Sequence, residues 1–291
     1  SEKFIESLKD KIDAIAVMGG TKVSSELIKK LPNLKIIANY GVGYDAVDVE
    51  QATLHNVKVT NTPNVLNDEV ADTAVALTLC VYKNISSANN FLLEKKWLKS
   101  EFPLSKKFSG TKFGILGMGR IGKTIAKRIE AFNCEICYHS RNKKDVKYKY
   151  FSKLEELAEY VDTLCVITPG GEETKHLVKS NILQKLGKNG FLINIARGSV
   201  IDQQALIHAL QNKIICGAGL DVFENEPNVP DDLMSLDNVI LTPHIGSATV
   251  ETRYDMGKLV YDNVVQMLTK NSTISPCLLY TSPSPRDVNR S

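Results

Sequence analysis

Three side chains stand where a ligand would lie in an α/β protein. Arg197 closes Asn194-Ile-Ala-Arg197, Glu226 sits in Asp221-Val-Phe-Glu-Asn-Glu-Pro227, and His244 in Thr242-Pro-His-Ile-Gly-Ser247. Each follows an apolar run that reads as a buried strand, and open α/β sheets bind ligands just outside the carboxyl ends of their strands. The planar fork of an arginine clamps a carboxylate and polarises a neighbouring carbonyl. A protonated imidazole can give its proton to that carbonyl oxygen as hydride reaches the carbon, and a carboxylate beside the ring keeps it protonated near neutral pH. The set suits a 2-oxo acid, provided that a hydride source lies alongside.

The stretch Lys112 to Arg128 implies that source. An apolar run, Phe113 to Leu116, leads into Gly117-x-Gly119-x-x-Gly122, with Arg120 and Ile121 opening an apolar helical pattern (Ile121, Ile125, Ile129, Phe132). This is a strand-turn-helix for a dinucleotide pyrophosphate: Gly117 permits the tight turn, Gly119 admits the phosphate, Gly122 lets the helix sit on the sheet, and the helix N-terminus offers its N–H groups to the anion. The bland alternative is a glycine-rich turn that binds nothing. An NAD site usually carries an acid about 20 residues past the glycines, for the ribose 2′-hydroxyl. Here the place reads Ser140-Arg141-Asn142-Lys143-Lys144, with no acid until Asp145. Arg141 and Lys143 favour a 2′-phosphate, so NADP(H) is expected over NAD(H); the alternative is a solvated basic loop.

A chain of 291 residues with 43% apolar and 24% charged residues can build two ordinary domains. A net charge of +3 is too small and dispersed to argue for nucleic acid or a membrane surface, and no apolar run approaches the roughly 18 residues of a membrane span. The six cysteines (80, 134, 137, 165, 216, 277) show no ligand spacing. Cys134-x-x-Cys137 falls in an expected strand, where i and i+3 face opposite ways. A reduced, cytoplasmic set is expected, with no disulfide and no metal site. The opening on Ser1 does not exclude a targeting peptide. The segment from Cys277 resembles the translated read-through of a library adapter, so 275–291 is expected to be a non-native tail.

The pattern that must position these groups alternates strand and helix. Strands are expected at 14–18, 34–39 and 57–60, then at 113–116, 134–139, 163–167, 191–195, 217–222 and 239–241, the last six forming a doubly wound sheet. Helices are expected at 26–31, 49–55, 154–160, 203–212 and 249–268, with a long one starting near Asn67 or Asp68 and a linker with Trp97, Pro103 and Gly110 after it. The expected parts are 1–66, a dinucleotide domain 67–246, and a return segment 247–274, so that one domain is inserted in the other.

Five ordered blocks carry a family resemblance: Gly41-Val-Gly-Tyr-Asp45, the glycine fingerprint, Ala196-Arg197-Gly198, Leu220-Asp-Val-Phe-Glu-Asn-Glu-Pro227 and Pro243-His-Ile-Gly-Ser247. Over residues 10 to 270 the chain resembles the NAD(P)-dependent D-2-hydroxyacid dehydrogenases. Asn64 to Asp72, Lys107 to Thr111 and Tyr138 to Arg141 are most similar to glyoxylate/hydroxypyruvate reductases, especially the plant hydroxyphenylpyruvate reductases. The resemblance implies a Rossmann-type sheet inserted in a smaller flavodoxin-like substrate domain. It implies that Arg197 binds substrate carboxylate and carbonyl, that His244 is the acid/base with Glu226 as partner, and that the N–H groups of Val42 and Gly43 hold the other carboxylate oxygen. Asp221 would accept from the nicotinamide carboxamide, and Gly117, Gly119 to Gly122, Ser140 to Lys143, Ile195, Ala196, Gly246 and Ser247 would line the cofactor. Members commonly dimerise through the cofactor domain, with Trp97 reaching a neighbour's site. They also begin with a further strand and helix that this sequence lacks, which would bare a sheet edge.

The expected activity is therefore NADPH-dependent reduction of small 2-oxo acids such as glyoxylate and hydroxypyruvate. The rivals are a bulkier substrate such as hydroxyphenylpyruvate, and an NAD(H)-binding transcriptional corepressor of the same fold. A formate dehydrogenase is disfavoured because its matching pair has Gln where this chain has Glu226. His55, His139, His176 and His208 read as surface or packing residues, Glu224 as solvated, and Trp97 as packing. Asp221 could instead cap a turn, and Gly41–Gly43 could be a bare turn.

Overall fold

The computed structural model describes residues 2–18 and 20–277. It divides into two units: unit 1 takes residues 1–66 with 249–291, and unit 2 is the continuous stretch 67–248.

Unit 1 holds a parallel sheet in the order β1-β2-β3, formed by β1 (Ala14–Met18), β2 (Ile36–Tyr40) and β3 (Lys58–Thr60). Central β2 is nearly all buried, as its run Ile-Ile-Ala-Asn demands. Helix Ser25–Lys29 starts where Ser24 accepts from the Leu27 N–H, and helix Val49–Leu54 where Asp48 accepts from Gln51, each satisfying an orphan N–H. The long helix Val250–Lys270, capped by Thr249, lays Met267, Val260 and Val264 against Ile36 and Ala38. Ser275–Cys277, expected in a non-native tail, instead pack into this unit. Pro276 bridges Thr60, and buried Cys277 donates its N–H to Val59. Residues 278–291, the rest of that expected tail, lie outside the described residues.

Unit 2 is an all-parallel sheet in the order β10-β9-β8-β7-β4-β5-β6. Its strands are β4 (Lys112–Leu116), β5 (Glu135–His139), β6 (Lys149–Phe151), β7 (Thr163–Val166), β8 (Phe191–Asn194), β9 (Gly217–Leu220) and β10 (Val239–Leu241). The chain runs outward from β4 to β6, returns to β7 on the other side of β4, and runs outward again. The switch point between β4 and β7 is thus the crevice where such sheets bind dinucleotides.

The α/β expectation holds, with local corrections. The sheet has seven strands rather than six. The extra one, β6, is a three-residue edge strand whose Lys149 and aromatics give too short an alternation to read. The expected linker holds a helix, Ile85–Leu93, and a helix over Ser180–Leu186 also escaped the periodicity. Helix Asn67–Lys83 lies under β9: a Cβ on Gly219 would meet Leu77 at 3.0 Å, and one on Gly217 would meet Val81 at 3.0 Å. The six cysteines are free thiols. Cys134 lies just before β5 rather than in it. Among the described residues no helix is long and apolar enough to cross a membrane.

Candidate active site

At the carboxyl ends of β8, β9 and β10, unit 2 brings Arg197, Glu226 and His244 together. His244 Nδ1 lies 2.7 Å from Glu226 Oε2, and the other oxygen of Glu226 accepts the Phe223 N–H at 3.0 Å. Bonding Nδ1 to the carboxylate orients the ring and leaves Nε2 with no partner among the described residues. The left-handed backbone of His244 (φ +53) follows from a tight turn in which its N–H returns to the Thr242 carbonyl. Burial pushes the Glu226 carboxyl up, but the His244 bond, the Phe223 N–H and the charges of His244 and Arg197 outweigh it. The carboxyl therefore lies below the usual carboxylate range. Glu226 is an anion at neutral pH, which is what holding a proton on His244 requires.

Arg197 is placed by its own loop. Asn194 spans it, accepting from the Ala196 N–H and donating to the Arg197 carbonyl, and Arg197 Nη1 donates to the Ala196 carbonyl at 2.8 Å. Gly198 packs so tightly on the next loop that a Cβ there would fall 1.9 Å from the Phe223 carbonyl carbon. The loops after β8 and β9 are thereby pressed together, and the field of Arg197 reaches Glu226.

Asp221 is buried and caps the turn after β10. Its carboxylate accepts from Thr242 Oγ1 (2.6 Å), the Ile245 N–H (2.7 Å) and the Gly246 N–H (2.8 Å). The turn-cap reading thus describes what Asp221 bonds to. Three of the roughly four lone-pair sites of a carboxylate are taken, leaving one for a ligand amide. Gly246 is buried in this cap and Ser247 half-buried beside it.

At the switch point, helix Arg120–Ile129 begins at Gly119, which supplies no side-chain cap, so the first N–H groups of the helix stay available to an anion. A Cβ on Gly117 (φ +112) would come 2.8 Å from the Ile167 carbonyl, and one on Gly122 would come 2.1 Å from the Gly117 carbonyl. A Cβ on Gly119 would meet nothing within 4 Å, leaving open space over the turn. Beside it the Thr168 hydroxyl is buried with no partner. An open cradle, a bare helix N-terminus and an orphan hydroxyl fit a pyrophosphate. Ile195 and Ala196 are buried at the adjacent end of β8. Thr168 was not singled out from the sequence; its place in Thr168-Pro169, directly after a strand end, is the signal that could have found it.

Beyond β5, Ser140 Oγ donates to the Asn142 carbonyl, and Arg141, Asn142 and Lys143 are exposed. Arg141 is not simply solvated: its Nη1 donates to Glu173 at 3.0 Å. Glu224, read as solvated, pairs with His176 at 2.6 Å, while His244 takes Glu226. Trp97 is 68% exposed, so within this chain it is not a packing residue.

In unit 1 the loop Gly41–Gly43 follows β2. Asn39 Nδ2 donates to the carbonyls of Gly41 (3.0 Å) and Gly43 (2.9 Å), and Asn61 Nδ2 donates to that of Val42 (2.8 Å). No bond among the described residues uses the N–H groups of Val42 or Gly43.

Unit 2 thus combines a doubly wound sheet, a phosphate turn and an Arg–Glu–His set, which define a dinucleotide-dependent oxidoreductase. Residues 75–246 match the family model of the D-isomer specific 2-hydroxyacid dehydrogenase NAD binding domain. The chain is 43% identical to glyoxylate/hydroxypyruvate reductase A of Arabidopsis thaliana and 42% to the hydroxyphenylpyruvate reductase of Plectranthus scutellarioides, each match covering 94% of this chain and 88% of the relative. Among solved structures, the NADPH-dependent glyoxylate/hydroxypyruvate reductase of Sinorhizobium meliloti, in complex with NADP and malonate, matches with a TM-score of 0.90 at 44% identity, over 94% of this chain and 85% of that one. This chain belongs to the D-isomer specific 2-hydroxyacid dehydrogenase family.

Proposed function

We propose that the chain is an NADPH-dependent reductase of small 2-oxo acids, glyoxylate and hydroxypyruvate among them. The observation that carries the reading is the 2.7 Å His244–Glu226 pair beside Arg197, in a chain of this family. Bound NADPH supplies hydride to the substrate carbonyl carbon. Arg197 binds the substrate carboxylate and draws electron density toward the carbonyl oxygen. His244 holds a proton on Nε2 and gives it to that oxygen, and Glu226 stabilises the imidazolium until then. General acid catalysis of this kind contributes about 10²- to 10⁴-fold. The N–H groups of Val42 and Gly43 hold a carboxylate oxygen.

For the cofactor we assign the pyrophosphate to Gly117, Gly119, Arg120, Ile121 and Gly122, the 2′-phosphate to Ser140, Arg141, Asn142 and Lys143, and the nicotinamide side to Ile195, Ala196, Asp221, Gly246 and Ser247. Thr168 joins the first group on the strength of its orphan hydroxyl. A homodimer through unit 2 is supported by an exposed apolar run, with Leu93 71%, Trp97 68%, Leu98 84% and Leu104 100% exposed. Among the described residues the thiols are unpaired, which favours the cytoplasm.

The test is a panel of 2-oxo acids assayed with NADPH and with NADH. Turnover of glyoxylate and hydroxypyruvate with NADPH, collapsing in His244→Gln, is the expected result. A preference for hydroxyphenylpyruvate would move the substrate class, and a His244→Gln enzyme of normal rate would end the mechanism.

A further inference from the structure

The two loop N–H groups assigned to the substrate carboxylate have their directions set from elsewhere in unit 1. A trans peptide is planar, so the carbonyl of one residue and the N–H of the next share a plane and point opposite ways. Fixing the Gly41 carbonyl therefore aims the Val42 N–H, and fixing the Val42 carbonyl aims the Gly43 N–H. The Gly41 carbonyl is gripped twice, by Asn39 Nδ2 and by the Thr62 N–H at 3.0 Å. The Val42 carbonyl accepts from Asn61 Nδ2.

Asn61 is in turn held by the chain beyond the last helix. Its carbonyl accepts from Ser275 Oγ at 2.7 Å, and its N–H donates to the Ser275 carbonyl at 3.3 Å. Ser275 Oγ accepts from Asn263 Nδ2 at 2.9 Å. Asn263 Oδ1 takes the N–H groups of Ile274 and Ser275, and its Nδ2 also donates to the Leu259 carbonyl. Asn263 is completely buried, and Asn39, Asn61 and Ser275 are each at least nine-tenths buried. The Asn263 amide is engaged at both its oxygen and its nitrogen, and a buried amide held in this way has little freedom to turn, so it fixes the Ser275 end of the relay.

We propose that Asn61 is a positioning residue for the substrate carboxylate, aiming the Gly43 N–H through the Val42 carbonyl, and that Ser275 and Asn263 set Asn61 from the last helix. The proposal rests on the reading that Val42 and Gly43 bind substrate. It makes affinity for the 2-oxo acid depend on residues more than two hundred positions along the chain from the loop, with no part in cofactor binding or proton transfer.

The experiment compares Asn61→Ala, Ser275→Ala and Ser275→Thr, with Arg197→Ala as control, in steady-state glyoxylate reduction and in NADPH binding followed by fluorescence. In Asn61→Ala a charge-assisted bond loses its alignment, so KM for glyoxylate should rise about 10-fold or more. Its kcat should stay within about 3-fold and its Kd for NADPH should not change. Ser275→Ala keeps its main-chain bonds to Asn61 and should raise KM by a smaller factor, and Ser275→Thr, which retains the hydroxyl, should restore it. An unchanged KM in Asn61→Ala overturns the proposal, as does a loss shared equally by kcat, KM and NADPH affinity, which marks a general structural role. Should Asn61→Ala not fold, a wild-type KM in Ser275→Ala overturns it. Arg197→Ala separates the two levels: if it leaves the KM for glyoxylate untouched, the substrate-site reading has failed, whereas a raised KM there with a wild-type KM in Asn61→Ala defeats only the relay.

Discussion

Replacing Glu226 by Gln tests the proton-holding pair with little change of shape. Gln keeps an oxygen for the Phe223 N–H but removes the charge opposite His244. The bond lost is a 2.7 Å charge-assisted one, a class that contributes about 1.5–3 kcal/mol. The His244 and Glu226 side chains are 47% and 35% exposed, so solvent screening reduces this to about 1–2 kcal/mol. The corresponding fall in kcat/KM for glyoxylate near neutral pH is about 5- to 30-fold. The assay is NADPH oxidation at limiting glyoxylate near neutral pH, for both enzymes. A variant matching the wild type in rate would refute the idea that the Glu226 charge supports His244 in proton transfer. The same depressed carboxyl makes a stability prediction. Its contribution is fully present above the ordinary carboxylate value of about 4.3 and is lost as pH falls through the lower folded value. Acidification through that range should therefore cost the wild type more stability than it costs the Glu226→Gln variant, as chemical denaturation at each pH would read.

Arg141→Ala should lower the preference for NADPH over NADH about 10-fold while leaving Kd for NADH unchanged; an unchanged preference would remove the 2′-phosphate assignment. Two glycines of one turn should fail differently. Gly122→Ala, whose Cβ would sit 2.1 Å from a backbone oxygen, should lose about 1–3 kcal/mol of stability in denaturant unfolding. Gly119→Ala, with open space around its Cβ, should unfold within about 1 kcal/mol of the wild type yet bind NADPH at least 10-fold more weakly, and equal losses from both would contradict the cradle. Thr168→Val removes an orphan hydroxyl, so thermal unfolding of the free protein should be neutral or slightly improved while NADPH binding weakens a few-fold; unaltered binding would leave that hydroxyl without a role.

Much of the fold was legible because its signals are local. Apolar runs located β4, β7, β8 and β10 to within a residue, and the start at Asn67 follows from residue types near that helix end. What escaped was short or unpatterned. The edge strand β6 is three residues long, and helix Ile85–Leu93 carries exposed apolar residues that blur its periodicity. Nor does composition say that Ser275–Cys277 belong to the packed part of unit 1, since their partners lie on β3 and in Asn61, far away in sequence.

The amino-acid order alone determined the alternation of strand and helix, the glycine turn at the head of the sheet and the identity of the Arg, Glu and His at its strand ends, because each depends on neighbours a few residues away. Only the tertiary structure decided the geometry and the remaining partnerships. It set the expected His244–Glu226 pair at 2.7 Å, matched His176 with Glu224, chose the cap among the readings of Asp221, set Glu173 on Arg141, and ran the Asn263–Ser275–Asn61 relay to the loop after β2. Which of two nearby carboxylates meets which imidazole depends on ångström-scale placement of loops from different strands, and that placement is a property of the packed whole.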